Sequence, residues 1–381
     1  MKIRIEVNSL ATKNLSGVGY FTKRLAESFI QKKNVDVSVF SFNFLGRQPT
    51  PSIIGEGSQE VNYLFPLRIY AKLQSYKLAF PFDIGLKPTD LTIFTNYARL
   101  PSIKSRYTAT VIHDLTFVKY PELMEEKNLA HLNRVVKRSI DASDFIITVS
   151  EAVKAELVQE YSLNPDNVIA TPVPPDEIFY KKNNNEIHKK YNIPTKNYLF
   201  FISTIEPRKN IPILVDAYTR LPRTIQAKYS LVISGGMGWK SEETTAVLKK
   251  AHEEGLNVIH TGYIDEQDKS ALYQQSSAFV FPSIYEGFGM PILEAAASKT
   301  PIITADIPVL REAAGDGALY FNPNDSSSLV LAIQKILGDK VLRRDLTTKA
   351  SKHLKTFSWS DNAEKIIDKI SELERSHKNR R

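Results

Sequence analysis

Residues 278–298 read AFVFPSIYEGFGMPILEAAAS, and this stretch contains a transition from a buried strand to a helix. The apolar run at its start predicts a strand, and Pro291 predicts a helix start, because a proline is well tolerated in the first helical turn. The connecting loop and first helical turn contain two glycines and two acidic residues: Gly287, Gly289, Glu286 and Glu294. A tight turn with a charged helix start accounts for these residues, and so does a site that binds hydroxyl groups and an anion.

The same alternation of strand and helix continues along the chain in both directions. Strands are predicted in the first half at 3–7, 35–40, 91–94, 108–112, 145–149 and 167–171. Strands are predicted in the second half at 198–203, 229–234, 257–261, 278–281, 301–304 and 318–321. Segments with helical periodicity separate most of these strands, so we predict an α/β protein with parallel sheets covered by helices on both faces.

The polar segment KKNNNEIHKK (181–190) divides this pattern and predicts a linker. We therefore expect two doubly wound, Rossmann-like domains, 1–182 and 190–358, that face each other across a cleft. Ligands of such sheets bind beyond the carboxyl ends of the strands, and a cleft between two domains is a common ligand site.

Composition narrows the function classes. The chain has 381 residues, a formal net charge of +8 and no cysteine, which excludes disulfides and thiolate chemistry. The positive charge favours an anionic partner such as a phosphorylated ligand, a nucleic acid or an anionic membrane. No nucleic-acid-binding motif accompanies the charge, so we predict no nucleic-acid partner. No signal sequence or transmembrane run is visible, and we expect a cytoplasmic protein.

A glycine pair occurs early, in SGVGYFTKRL (16–25), where a loop opens into a helix. Gly17 and Gly19 permit close approach of another group to the backbone, and amides at a helix start favour anions. The spacing is not the dinucleotide-binding G-x-G-x-x-G, because Thr22 occupies the third glycine position. A tight turn and a ligand contact both remain open here.

A histidine ends one of the predicted strands, in VIHDLTF (111–117). A lone histidine is most often structural. His113, however, is at the carboxyl end of a strand, where it is able to donate to a sugar hydroxyl or a phosphate oxygen.

Two cations follow the strand at 198–203, in the sequence EPRKN before the next helix. Arg208 offers a planar set of donors and Lys209 a point charge, which together suit a diphosphate. A solvated charged loop is the alternative interpretation. The sequence contains no D-x-D, no phosphate-binding G-x-x-x-x-G-K-[ST] and no zinc spacing, so we expect neither a metal ion nor another cofactor.

With these motifs in view, the chain resembles the retaining, GT-B-fold, nucleotide-sugar glycosyltransferases grouped as family 4. The resemblance runs nearly end to end and is strongest over 201–218, 231–239 and 261–323. Within that family the chain is most similar to bacterial mannosyltransferases that build O-antigen or other surface polysaccharide. The resemblance also implies that a final helix, 360–381, crosses back onto the N-terminal domain.

The resemblance implies a role for each matching residue. Arg208 and Lys209 are expected to hold the donor diphosphate, and Glu286 to contact hydroxyls of the donor sugar. His113 is expected to contact the sugar or the reacting phosphate region and is grouped with these three as catalytic. The remaining donor-binding residues that it implies are Gly17, Gly19, Tyr263, Gly287, Phe288, Gly289 and Glu294.

The implied reaction is metal-independent and retaining, and the leaving phosphate takes the acceptor proton. It transfers a hexose, with mannose from GDP-mannose as the first choice, to a lipid-linked or oligosaccharide acceptor. A UDP-sugar donor (for glucosyl, galactosyl or N-acetylglucosaminyl transfer) is the alternative with the same chemistry. A non-catalytic, nucleotide-sugar-binding scaffold subunit is the alternative from another class.

The segment YLFPLRIYAKLQSYKLAFPF (63–82) has three basic residues (Arg68, Lys72 and Lys77), no acidic residue, and several leucines and aromatics. This composition is typical of a helix on an anionic membrane surface, which predicts peripheral contact with the inner face of the cell membrane. A helix that packs on its own domain and lines the acceptor side is the alternative. The basic end 377–381 is interpreted as a solvated tail.

Overall fold

The computed structural model of the chain describes residues 1–11, 15–42, 59–63, 69–70, 73 and 80–379. Internal contacts divide the chain into two units. The first unit contains Met1–Leu115, Lys127–Val173 and Ser358–Arg381, and the second contains Thr116–Glu126 and Pro174–Phe357.

The first unit is built on a parallel sheet whose strands, within the described ranges, follow the order β3-β2-β1-β4-β5-β6-β7. The strands are β1 (Lys2–Glu6), β2 (Asp36–Phe42), β3 (Gln59–Tyr63), β4 (Thr89–Phe94), β5 (Ser105–Ile112), β6 (Phe145–Thr148) and β7 (Val168–Ala170). Consecutive residues of β1, β4 and β5 are buried, because helices cover both faces of the sheet. The helices of this unit include Gly17–Ile30, Glu126–Ala142, Glu151–Tyr161 and Trp359–Asn379.

The second unit repeats this topology with the strand order β10-β9-β8-β11-β12-β13, again all parallel. The strands are β8 (Asn197–Ile202), β9 (Tyr229–Ser234), β10 (Val258–Gly262), β11 (Ala278–Phe281), β12 (Ile302–Ala305) and β13 (Ala318–Phe321). The helices include Thr116–Lys119, Ile187–Lys190, Ile211–Thr219, Arg223–Gln226, Glu242–Glu253, Glu266–Gln275, Met290–Ala297, Pro308–Ala314, Ser326–Gly338 and Lys340–His353. The prediction of an α/β protein with two doubly wound parallel sheets is confirmed.

Each sheet reverses its strand order at one place, between β1 and β4 in the first unit and between β8 and β11 in the second. The loops at the carboxyl ends of these strand pairs diverge to opposite faces of the sheet and leave a crevice for ligands. A set of buried charged side chains lies at each of these positions.

The last helix, Trp359–Asn379, packs in the first unit, as predicted for a helix that crosses back. The rings of Trp359 and Phe21 lie 5.7 Å apart, and Nδ2 of Asn362 donates to the carbonyl oxygen of Pro172 at 2.6 Å. Ala363, Ile366 and Ile370 on its inner face are buried.

By internal contacts the main division of the chain falls after Val173, whereas the domains predicted from the sequence are 1–182 and 190–358. The segment 181–190 is not a free linker. Asn183 donates to the carbonyl oxygen of Gln267 at 2.7 Å, and Asn185 donates to Asp268 at 2.6 Å, so both side chains tie it to the helix Glu266–Gln275. Polar composition indicated a linker, but the asparagines have specific partners instead of water.

The segment Thr116–Glu126 also belongs to the second unit although it follows β5 of the first. The indole nitrogen of Trp239 donates to the carbonyl oxygen of Leu123 at 2.8 Å, and the rings of Tyr120 and Tyr285 lie 5.3 Å apart. These contacts join distant parts of the sequence, so no local pattern indicated them.

Of the predicted membrane segment 63–82, the structure describes only 63, 69–70, 73 and 80–82, and the rest lies outside the described residues. Tyr70 and Phe82 are buried in the first unit, where Phe82 stacks on Phe40 at 4.3 Å. Ile69 and Phe80 are half exposed. Within the described ranges, no helix has the length and apolar content needed to cross a bilayer.

Candidate active site

Two loops at the reversal point of the second sheet carry the charged residues that the sequence singled out. After β8 the chain forms a short 3-10 turn, Pro207–Lys209, and Asn210 adopts a left-handed conformation (φ 55°) before the next helix. After β11 the loop reaches Gly289, which has φ 96° and caps the helix Met290–Ala297. The amide of Ile284 donates to the carbonyl oxygen of Arg208 at 2.9 Å, which fixes the two loops to each other.

Four side chains of these loops meet in one ion-pair network. Nη1 of Arg208 lies 2.7 Å from Oε2 of Glu286, and Nζ of Lys209 lies 2.5 Å from Oε1 of the same carboxylate. Nε of Arg208 also lies 2.6 Å from Oε1 of Glu206. Both oxygens of Glu286 are therefore engaged by cations, and the structure brings Arg208, Lys209 and Glu286 together as one cluster, which we call the triad.

The triad is buried, since Glu286 is 7% exposed and Lys209 is 5% exposed. Burial alone raises the pKa of Glu286, but the charges and hydrogen bonds of Arg208 and Lys209 outweigh it and lower the pKa to about 2. Burial and the nearby guanidinium lower the pKa of Lys209, whereas Glu286 opposes that shift. Glu286 is thus ionised at neutral pH and acts as a hydrogen-bond acceptor.

Sequence analysis missed one member of this network. Glu206 is 2% exposed and pairs with Arg208 from the start of the same loop. Its position within EPRKN was a usable signal, because an acidic residue two positions before an arginine in a turn is well placed to orient the guanidinium. Lys209 also lies over the ring of Phe281, with Nζ 5.6 Å from the ring centroid.

Glu294 lies one turn into the helix that starts at Met290, and its carboxylate accepts from the hydroxyl of Tyr273 at 2.8 Å. Burial raises the pKa of Glu294, and the neighbouring charge of Lys269 opposes this shift. The helix begins one residue before Pro291, because Gly289 in its left-handed conformation serves as the N-cap. Glu294 therefore has partners of its own, Tyr273 and Lys269.

The other predicted donor-binding residues of this unit have different surroundings. The ring of Phe288 is buried against Phe357, with centroids 5.5 Å apart, so its side chain serves packing and only its backbone is available to a ligand. Gly289 has a left-handed backbone conformation that side chains disfavour, and a Cβ atom added there would lie 2.7 Å from Leu310. Gly287 has no such positive φ. Tyr263 is 57% exposed and follows β10 at the same sheet edge.

In the first unit, Gly17 and Gly19 open the helix Gly17–Ile30, and Ser16 caps it by accepting from the amide of Gly19 at 3.3 Å. A Cβ atom on Gly19 would lie 3.0 Å from the carbonyl oxygen of Ser9. Gly19 therefore permits close contact between the helix and the loop after β1. Gly17 is exposed, and its role in donor binding stays a prediction.

His113 follows β5 of the first unit and is 8% exposed. Its Nε2 lies 2.8 Å from the carbonyl oxygen of Thr95, and the ring of Phe21 packs edge-on at 5.4 Å. Burial lowers the pKa of His113, so the imidazole is neutral at physiological pH. Because a carbonyl only accepts, the proton is on Nε2, and Nδ1 is left as an acceptor.

Doubly wound sheets bind ligands beyond the carboxyl ends of their strands, and a buried arginine and lysine at that edge suit a phosphorylated ligand. The sequence family described as Glycosyl transferases group 1 matches residues 183–353. The O-antigen chain mannosyltransferase B of Escherichia coli is 30% identical over 255 residues, which cover 66% of this chain and 67% of that protein. The chain belongs to the Glycosyl transferases group 1 family and is a glycosyltransferase.

Other relatives and solved structures agree with this assignment. The serotype-specific mannosyltransferase WbdA of Escherichia coli is 29% identical over 281 residues. These residues cover 70% of this chain but only 33% of WbdA. The structure of sucrose-phosphate synthase from Thermosynechococcus elongatus has a TM-score of 0.74 at 19% identity and covers 98% of this chain and 99% of that one. Anabaena HepE, solved with UDP and glucose, has a TM-score of 0.70 at 16% identity over 98% and 100% of the two chains. These two likenesses establish the GT-B fold.

Proposed function

We propose that this glycosyltransferase moves a mannosyl residue from GDP-mannose, with retention of configuration, to a lipid-linked or oligosaccharide acceptor of bacterial surface polysaccharide. The observation that carries the proposal is the triad of Arg208, Lys209 and Glu286. The choice of mannose and of a polysaccharide acceptor is supported by relatives named O-antigen chain or serotype-specific mannosyltransferases. The choice of GDP rests on the resemblance alone.

The triad has the chemistry to bind a diphosphate and a sugar together. A lysine ammonium has three donors and a guanidinium has five, so each retains donors for phosphate oxygens while holding Glu286. The carboxylate of Glu286 accepts hydrogen bonds from hydroxyl groups of the sugar. As negative charge develops on the leaving diphosphate, Arg208 and Lys209 stabilise it without reorganisation, because their positions are already fixed.

The state of Glu286 favours a mechanism without an enzymic base or nucleophile. A general base works best with a pKa near the operating pH, and the pKa of Glu286 is lowered to about 2. Its lone pairs already accept from two cations. We therefore propose that the departing phosphate oxygen accepts the proton of the acceptor hydroxyl on the same face of the sugar, which retains the configuration.

We propose that the reaction needs no metal ion, because Arg208 and Lys209 supply the positive charge that the leaving diphosphate requires. Within the ranges that the structure describes, no three acidic or histidine side chains are grouped as metal ligands.

A cytoplasmic location with peripheral membrane contact through 63–82 is also proposed. Its support is the composition of that segment and the exposed Ile69 and Phe80, and binding to vesicles with anionic lipid tests it.

A donor screen by thermal shift tests the substrate proposal. A ligand at a hundredfold excess over its dissociation constant adds roughly 2.7 kcal/mol, so the correct nucleotide sugar raises Tm by several degrees. We expect the shift with GDP-mannose. A shift with a UDP-sugar and none with GDP-mannose would favour the alternative donor. Binding of a donor with no turnover on any acceptor would favour a scaffold subunit.

Variants of the triad test the site. Lys209→Ala is expected to lower kcat/KM at least a hundredfold, which is the usual effect of losing one donor to developing charge. Glu286→Gln is also expected to lower kcat/KM, because glutamine has no charge to hold Arg208 and Lys209 and keeps only one acceptor oxygen. The matched control is Arg311→Ala, because Arg311 forms an exposed pair with Asp306 in the same unit. Full activity in both triad variants would refute the proposed site. The anomeric configuration of the product, measured by proton NMR, tests retention.

A further inference from the structure

A buried carboxylate lies at the reversal point of the first sheet and has no role in the reaction described above. Glu6 is the last residue of β1 and is 7% exposed. Thr95 follows β4 and His113 follows β5. Strands β1, β4 and β5 are consecutive neighbours in the sheet, so their ends place these three residues side by side at one edge.

Glu6 holds Thr95 by two hydrogen bonds. Its Oε2 accepts from the backbone amide of Thr95 at 3.2 Å, and its backbone carbonyl oxygen accepts from the Thr95 hydroxyl at 2.9 Å. The other carboxylate oxygen accepts from Nδ2 of Asn8 at 2.5 Å. The orientation of this Asn8 amide is fixed in turn, because its Oδ1 accepts from the amide of Phe42 at 2.7 Å.

Thr95 passes this constraint to the histidine. Its carbonyl oxygen lies 2.8 Å from Nε2 of His113 and accepts the ring proton there. The rings of Phe21 and Tyr97 pack edge-on against the imidazole at 5.4 and 5.6 Å, so rotation of the ring is restricted. The chain of contacts therefore runs from Glu6 through Thr95 to one nitrogen of His113.

We propose that Glu6 is a positioning residue for catalysis: by fixing Thr95 it keeps the His113 proton on Nε2 and presents Nδ1 as the acceptor for a hydroxyl of the sugar substrate. The contact between His113 and substrate rests on the proposed function, whereas the control of the tautomer does not. The competing explanation is a purely structural tie between β1 and β4. That tie affects stability and leaves the imidazole proton where it is.

The tautomer is measured directly, without substrate, by long-range proton–nitrogen NMR of protein labelled at its histidines. The chain has seven histidines, and a His113→Asn variant assigns the signal of interest. We expect the wild-type signal of His113 to show protonation at Nε2. A wild-type signal from the Nδ1-protonated form or from an even mixture would overturn the proposal before any variant is made.

Three substitutions then test the dependence on Glu6. Glu6→Met removes both side-chain acceptors at similar volume, and we expect the His113 signal to become a mixture of tautomers. Glu6→Gln keeps an acceptor for the Thr95 amide, and we expect it to retain the Nε2 form. Asp83→Asn is the structural control, because Asp83 is a fully buried carboxylate that accepts from the amides of Ile103 and Lys104 just before β5. An unchanged signal in Glu6→Met would overturn the proposal.

Kinetics separate the positioning role from a structural one. If Glu6 acts through His113, Glu6→Met lowers kcat about tenfold in the wild-type chain and has no further effect in His113→Asn. Additive losses in the double variant would contradict the proposal, since independent sites add. If the wild-type protein has no activity with any donor, the proposed function is contradicted. The proposed role of Glu6 is still tested in that case, because the NMR measurement of the His113 tautomer needs no turnover.

Discussion

Lys209 and Glu286 are 77 positions apart in the chain, yet Nζ of the lysine lies 2.5 Å from Oε1 of the glutamate at a buried sheet edge. Their contact exists because β8 and β11 are neighbours at the reversal point of the second sheet, so the loops that follow the two strands meet. Arg208, next to Lys209 in the chain, binds the other oxygen of Glu286 and also pairs with Glu206, so two cations face two carboxylates.

Removal of Glu286 should destabilise the protein more than removal of Lys209. Glu286→Ala takes away the carboxylate that pairs with the buried Lys209, while Arg208 keeps Glu206; Lys209→Ala leaves Glu286 paired with Arg208. Breaking a buried pair costs about 3–5 kcal/mol, or roughly 10 °C in Tm for a unit of this size. Differential scanning calorimetry checks the order. The exposed pair of Arg311 and Asp306 is the control, and its loss should cost at most about 1 kcal/mol.

The triad should also give the protein an acid-sensitive component of stability. The pKa of Glu286 is lowered to about 2 from its usual 4.5, so its contribution is complete above pH 4.5 and is lost as pH falls toward 2. That contribution amounts to about 3 kcal/mol. We expect the Tm difference between wild type and Glu286→Gln to shrink across this window. A difference that stays constant from pH 5 to pH 2.5 would contradict the ionised state of Glu286.

Glu6 should give the opposite dependence. Burial raises the pKa of Glu6 to about 7, although hydrogen bonds from Asn8 and Thr95 oppose the shift. The folded state then holds a proton that the unfolded state has released, so stability falls as pH rises from 4.5 to 7, by up to about 3 kcal/mol. Relative to wild type, Glu6→Gln should gain stability across this range. Calorimetry of the two proteins at pH 5 and pH 7.5 makes the comparison.

Gly289→Ala should destabilise the second unit. The residue has φ 96°, and a Cβ atom would lie 2.7 Å from Cδ2 of Leu310, so the substitution adds both strain and a clash. We expect a loss of about 1–3 kcal/mol, seen as a lower Tm. Gly338→Ala is the control, because no atom of the described residues lies within 4 Å of its Cβ position and its φ is not positive. Equal Tm values for the two variants would contradict the assigned conformation of Gly289.

Chelation should leave transfer unaffected if the cations of the triad replace a metal ion. We expect the initial rate in EDTA to lie within twofold of the untreated rate. A large loss that Mg²⁺ or Mn²⁺ restores would show that the diphosphate is held through a metal. A parallel assay of Lys209→Ala with added Mn²⁺ asks whether a divalent ion rescues the missing ammonium.

Local sequence determined much of the fold. Apolar runs such as YSLVIS (229–234) and AFVF (278–281) match β9 and β11 residue for residue, because a strand covered on both faces needs an unbroken apolar run. The edge strand β3 (Gln59–Tyr63) was missed, since QEVNY has no such run. Short motifs also singled out Arg208, Lys209 and Glu286, because each lies in the loop that follows a predicted strand.

Tertiary structure alone decided which of these residues meet. The sequence assigned Glu286 to a sugar, and only the adjacency of β8 and β11 showed that two buried cations already hold its carboxylate. The sequence treated Glu6 as part of an ordinary strand, and only the order of β1, β4 and β5 connected it to His113. Composition and periodicity are local properties of the chain, whereas pairing, burial and pKa depend on groups that are distant in sequence and adjacent in the folded protein.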